Sequence, residues 1–156
     1  MIQDATLPGT GLPPAVRRVS WILERLLGLG VPVGPLYLLE TRGWRTGTAR
    51  TVPVAVIRFG GRRWLVSVFG ETGWVRNIRV IKVACLRRGR RAETIRVAEV
   101  DDKRRPVVAM RLRRSFRFIP FVRQAFGATP RDGIAAFQAE AHRHPVFLID
   151  DRLEET

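Results

Sequence analysis

The residues with the clearest chemical reach lie in one stretch, Gly43-Trp44-Arg45-Thr46-Gly47-Thr48-Ala49-Arg50-Thr51. Its glycines let backbone amides approach an anion, Thr46 and Thr51 offer hydroxyls, and Arg45 and Arg50 offer forked, charged donors. Together they describe a phosphate nest. It is not a Walker loop, because no Gly-Lys-Ser/Thr follows and strand-like sequence flanks it on both sides. An ordinary basic loop has the same composition, since glycine and polar residues dominate turns. A second pair, Trp74 and Asn77, falls three residues apart on a segment that fits a short helix, so the two share a face. Trp supplies a flat apolar wall and Asn both a donor and an acceptor, which suits a planar heteroaromatic ligand. A core tryptophan beside a capping asparagine would look the same.

Other reactive residue types are sparse. Cys85, between Ala84 and Leu86, reads as a small buried hydrophobe. His142 and His144 have no Cys or carboxylate cluster around them and read as loop histidines, so no metal site is expected. Glu40 and Glu71 are isolated carboxylates, and neither a Gly-x-Ser-x-Gly elbow nor a Cys/His arrangement is present. No side chain is expected to be catalytic in its own right, and an enzyme built from this chain would take its chemistry from a cofactor.

The elements that must hold these residues follow from periodicity. Residues 1–13 are rich in Gly, Pro and Thr and read as a flexible leader; Gly9-Thr10-Gly11 is too short for a dinucleotide fingerprint. Val16, Val19, Ile22, Leu23, Leu26 and Leu27 recur at helical steps between arginines, predicting an amphipathic helix from Pro14 to about Leu29. It would pack on the domain's own core or lie as a basic helix at a membrane interface. The period then changes. Strands are expected over Leu36–Thr41, Thr51–Phe59 and Arg63–Phe69, with Gly60-Gly61 as a hairpin turn. A helix is expected over Trp74–Ile81. A hairpin of Val83–Arg87 and Thr94–Val100 should then turn at Gly89. Asp101-Asp102 would cap a helix running to about Ser115. Shorter helices are expected over Ile119–Phe126 and from a Thr129 cap to about Ala141, before a last strand, Pro145–Ile149. The class is mainly β (α+β): a single domain over 14–156 built as an antiparallel barrel, with an N-terminal helix and peripheral C-terminal helices.

The chain has 156 residues, enough for one domain, and 46% of them are hydrophobic, which supplies a core. Its net charge of +14 rests almost wholly on arginine, the only lysines being Lys82 and Lys103. The densest run, Arg87-Arg88-Gly89-Arg90-Arg91, reads as a solvated hairpin tip, or as a patch for an anionic partner. No RNA-binding aromatic signature accompanies it, which argues against nucleic acid. The longest charge-free apolar run, Leu26 to Leu39, is broken by Pro32 and Pro35 and is too short for a membrane span. The start lacks a basic signal region, so a cytoplasmic location is expected. Contact with the inner face of the cell membrane through residues 14–29 stays open.

The run Leu38-Leu39-Glu40-Thr41-Arg42-Gly43-Trp44-Arg45-Thr46-Gly47, then Arg50-Thr51-Val52-Pro53-Val54, resembles the deazaflavin (coenzyme F420)-dependent nitroreductase and quinone reductase family. Ser67-Val68-Phe69-Gly70, Trp74-Val75-Arg76-Asn77 and His144-Pro145-Val146-Phe147 continue the pattern. The resemblance implies a split β-barrel like that of flavin-binding pyridoxamine-phosphate oxidases. It implies that Arg45, Thr46, Gly47, Arg50 and Thr51 hold the coenzyme's phosphate and that Val52, Pro53 and Val54 line the deazaflavin. Ser67, Val68, Phe69 and Gly70 would edge the ring, and Trp74 and Asn77 would close the site. Trp44 stands where the family commonly has a basic residue. The only tyrosine is Tyr37, whereas phenylalanines occupy 116, 118, 121, 126 and 137. The implied reaction is therefore hydride transfer from reduced F420, an 8-hydroxy-5-deazaflavin, to a hydrophobic acceptor such as a quinone. Two alternatives remain: an FMN-dependent split-barrel oxidoreductase, and a non-enzymatic basic module that binds nucleic acid or anionic membrane.

Overall fold

The computed structural model describes residues 36–150, so the leader and the helix expected over 14–29 lie outside the described residues. Three strands come first: β1 (Leu36–Arg42), β2 (Ala49–Phe59) and β3 (Arg62–Val66). Helix α1 (Gly73–Ile81) follows, then the hairpin of β4 (Val83–Arg88) and β5 (Arg91–Glu99). Helices α2 (Arg105–Ser115), α3 (Pro120–Ala125) and α4 (Ile134–Glu140) lead to β6 (Val146–Asp150). The strands close a barrel in the order β1-β2-β3-β6-β5-β4, with β4 returning to β1, and every pairing is antiparallel.

Two apolar cores share the same strands. Leu39, Val54, Val56, Leu65, Leu86, Ile95, Val97, Phe147 and Ile149 form one cluster, which Trp74, Val75 and Ile78 of α1 join. The alternate residues Ala55, Ile57, Trp64 and Val66 belong to the other, packed with Val108, Ala109 and Leu112 of α2 and with Val122, Phe126 and Phe137. Successive side chains of a strand point to opposite faces, so a strand covered on both sides is apolar throughout. That explains Val54-Ala55-Val56-Ile57, where all four are buried. Strand β5 has one wet face, and there Ile95 and Val97 are buried while Thr94, Arg96 and Ala98 are exposed. No helix among the described residues is long and apolar enough to cross a membrane.

Four expectations are corrected. Strand β3 ends at Val66, not Phe69: the Ser67 N–H still bonds in register to Pro145 O (2.9 Å), but Pro145 has no N–H to continue the ladder and the chain turns over Ser67–Gly70. The long helix expected after Thr129 is two pieces. A capping box between Thr129 and Asp132 closes one 3-10 turn, and Gly133, at φ +81°, breaks the helical path before α4. Helix α2 starts at Arg105, with Asp101 Oδ1 accepting from the Arg104 N–H (3.1 Å). Cys85 is only half-buried, on β4 opposite Glu40 of β1 and Thr94 of β5.

Candidate functional site

Strands β1 and β2 pair through Arg42 and Ala49, and Gly43–Thr48 forms the turn between them. The Gly43 N–H donates to Thr48 O (2.9 Å) and the Gly47 N–H to Gly43 O (2.7 Å). The Thr48 N–H donates to Thr46 Oγ1 (3.3 Å), and Arg42 Nη1 donates to Gly47 O (3.2 Å). Gly47 sits at φ +71°, which this closure requires and which side-chain-bearing residues rarely adopt. The backbone donors expected to cradle an anion are thus largely spent inside the turn. The charged donors are not. Arg45 and Arg50 are exposed and neither is ion-paired among the described residues. The Arg45 guanidinium lies 4.3 Å from the Trp44 ring centroid, a cation–π stack on the outer face of the turn.

Helix α1 fixes this turn from behind. Asn77 is buried; its Nδ2 donates to Thr41 Oγ1 (3.1 Å) and its Oδ1 accepts from the Trp44 N–H (3.3 Å). One amide side chain therefore ties α1 both to the end of β1 and to the turn. Trp74, one helical turn earlier, is buried against Phe147, with ring centroids 6.0 Å apart. The remaining residues of interest line the place where the barrel opens. Strand β2 has eleven residues and β3 five, and their pairing begins at Ala55 and Val66. From Arg50 to Val54, β2 therefore pairs with β1 alone, and its other edge has no strand partner among the described residues. Pro53 is compatible with that position, since proline is confined to edges and bulges. Thr51 is exposed, Val52 and Pro53 are half-buried and Val54 is buried.

Segment Ser67–Gly70 leaves the sheet at the same point. The Ser67 hydroxyl donates to Gly70 O, and the Thr72 N–H also donates to Gly70 O (2.9 Å). Ser67 and Val68 are buried, whereas Phe69 and Gly70 are half-buried. A Cβ on Gly70 would meet Arg143 O at 3.3 Å, so the stretch ending in His144-Pro145 backs this segment closely. The structure thus brings together the turn, the open edge of β2, the Ser67–Gly70 segment and the buried face of α1. A cavity of about 400 Å³ lies elsewhere, at the opposite end of β2.

Sequence reasoning missed two arrangements. His144 lies in the loop just before β6, as expected, but it is buried there; its ring centroid lies 4.3 Å from that of Phe126, and its Nε2 lies 3.7 Å from Glu140 Oε2. Glu140 is itself buried and accepts from the Gly127 N–H (3.0 Å) and the Ala128 N–H (2.8 Å). The spacing of four between the two residues was the available signal. Glu71, read as isolated, pairs with Arg79 (2.8 Å), which also holds Glu99 (2.8 Å). Arg79 keeps the Glu71 carboxyl below the usual carboxylate range.

Burial pushes the His144 imidazole below its ordinary pKa, with the Glu140 carboxylate opposing in part. The unfolded chain therefore binds the proton more readily than the folded one. Its stabilising contribution is complete above the ordinary imidazole value of about 6.5 and is lost as pH falls below it. Thermal unfolding followed between pH 8 and 5 should show a falling Tm over that window, and His144→Phe should flatten the fall. An unchanged pH dependence in that variant would assign the effect to other groups.

In the comparison with protein families, the model described as F420H(2)-dependent quinone reductase matches residues 16–117. No curated protein matches the chain. Among solved structures, one described as a domain-swapped dimer is 16% identical, covering 87% of this chain and 99% of that one, with a TM-score of 0.52. A NimC/NimA family protein from Clostridium acetobutylicum is 15% identical, covering 81% of this chain and 80% of its own, at TM-score 0.50. A structure described as an F420-H2 dependent reductase is 15% identical over 74% of this chain and 94% of its own, at TM-score 0.49. The first two likenesses, at these identities, establish the shared fold alone.

Proposed function

The chain belongs to the F420H(2)-dependent quinone reductase family and is an F420-dependent oxidoreductase, and from that premise we propose that it reduces a hydrophobic acceptor of the quinone type at the mouth between β2 and α1. When bound there, the coenzyme supplies the hydride. The protein's part is to bind, orient and exclude water. One observation carries the reading. Two exposed arginines, Arg45 and Arg50, stand beside a strand edge, and among the described residues neither arginine has an ion-pair partner and the edge has no partner strand. The first feature suits a phosphodiester, and the second offers backbone donors and acceptors to a ring that carries amide-like edges. The Thr46 and Thr51 hydroxyls complete the phosphate end, and Gly47 shapes the turn that presents it through its positive φ. Val52, Pro53 and Val54 give the ring an apolar floor, and Ser67, Val68, Phe69 and Gly70 border it. Asn77 holds the turn in register, and Trp74 keeps α1 seated.

The test is a parallel titration of the purified protein with F420 and with FMN, followed by coenzyme fluorescence at moderate salt. The expected result is saturable F420 binding in the micromolar range or tighter, with FMN at least an order of magnitude weaker. Turnover of reduced F420 with menadione and with a nitroaromatic then addresses the acceptor, and the quinone is expected to be the better substrate. FMN binding in preference to F420 would overturn the site, and nitroaromatic preference would overturn the acceptor.

A further inference from the structure

Roughly 30 Å along β2 from Arg50, at 3.3 Å per strand residue, the β2–β3 hairpin and the start of α2 enclose a second concavity. Its volume of about 400 Å³ falls within the range of small-molecule sites. Phe59 and Trp64 form one wall, their rings tilted at 41° with centroids 6.4 Å apart. Val107, 38% exposed, forms the other. The Trp64 indole N–H is already spent on Phe59 O (2.9 Å), so the ring contributes apolar surface only. The rim is cationic: Arg62, Lys103 and Arg104 line it, and the Arg111 guanidinium sits 5.4 Å from the Phe59 ring centroid.

Among the described residues no carboxylate lines the cavity. The acidic residues just before α2 are turned to other work, since Asp101 accepts from the Arg104 N–H and Asp102 pairs with Arg105 (3.6 Å). Arg62, Lys103 and Arg104 have no ion-pair partner among the described residues. An aromatic cleft would be filled by any apolar body, but cations at its rim select for charge. We propose that this cavity is a second ligand site, separate from the coenzyme site, for a small anion with a flat apolar body, an aryl carboxylate being the simplest member of the class. The apolar body lies against Phe59, Trp64 and Val107, and the anionic group meets Lys103 and Arg104.

The experiment is a titration of the full-length, ¹⁵N-labelled protein with 2-naphthoate, and in parallel with the neutral 2-naphthylmethanol, followed by amide and indole chemical shifts. Saturable shifts are expected at Gly60–Trp64, at the Trp64 indole and at Lys103–Val108, and they should persist when F420 is present. The neutral analogue should bind about tenfold more weakly or worse, and the double substitution Lys103→Glu/Arg104→Glu should weaken naphthoate by at least about tenfold. Both altered residues are on the surface, so the variant's spectrum reports directly that it is folded. The proposal is overturned if no shifts saturate up to millimolar naphthoate, if they map to Trp74 and Asn77, or if the neutral analogue binds equally well.

Discussion

Trp74→Ala is expected to cost the fold about 3–5 kcal/mol, the range for truncating a large buried aromatic. The residue is only 8% exposed, belongs to the cluster that includes Leu39, Val75 and Phe147, and meets the Phe147 ring at 6.0 Å. Because total stabilities of such domains are about 5–15 kcal/mol, the variant should be close to the threshold of folding at 37 °C. Urea denaturation with Trp74→Phe as the companion variant checks this. Phenylalanine restores most of the buried area and should recover more than half of the loss. The pair of variants separates two roles. If Trp74 chiefly seats α1, coenzyme affinity tracks stability across both substitutions. If it is chiefly a wall of the ligand site, affinity falls while the urea midpoint barely moves, and the core assignment fails.

How far the sequence discloses this fold depends on the range of the interaction concerned. Strand positions were legible because their signal is local. Alternation marks β5, continuous apolar character marks β2, and Gly60-Gly61 between β2 and β3 marks a two-residue hairpin. What escaped the sequence is set by partners far along the chain. Strand β3 stops near Val66 because the residue opposite Ser67 on the β6 side is Pro145, which has no N–H to extend the ladder, a pairing across more than seventy residues that no window of sequence contains. The turn after β1 was legible as an anion-binding composition. The Gly43, Gly47 and Trp44 amides, however, prove to be spent on Thr48, Gly43 and Asn77, the last of these 33 residues from Trp44. Asn77 itself was picked out for its donor and acceptor. Both are used, but on Thr41 and Trp44, so its part in the site is to position the turn. The break at Gly133 was a local feature overlooked, a glycine read as helix interior where it supplies a non-helical φ.

With most of the turn amides committed, coenzyme affinity should rest chiefly on guanidinium groups, and Arg50→Ala tests that directly. Arg50 is exposed, stands opposite Thr41 in the β1–β2 register, and lies on the stretch of β2 whose outer edge has no strand partner among the described residues. Loss of a hydrogen bond to a charged group costs about 1.5–3 kcal/mol, which is roughly 10- to 150-fold in Kd. Solvent screening at an exposed site places the expected loss at the lower end, about tenfold, and makes it smaller at high salt. Stability should change by less than about 0.5 kcal/mol, because the side chain is on the surface and makes no ion pair among the described residues. Arg50→Lys distinguishes charge from geometry. An ammonium keeps the charge but not the planar fork, so a phosphate held by two parallel N–H donors is recovered only in part. Full recovery by lysine would mean that Arg50 acts by long-range attraction alone. An unchanged Kd in Arg50→Ala would remove it from the site and leave Arg45, stacked on Trp44, as the guanidinium on which the phosphate reading stands.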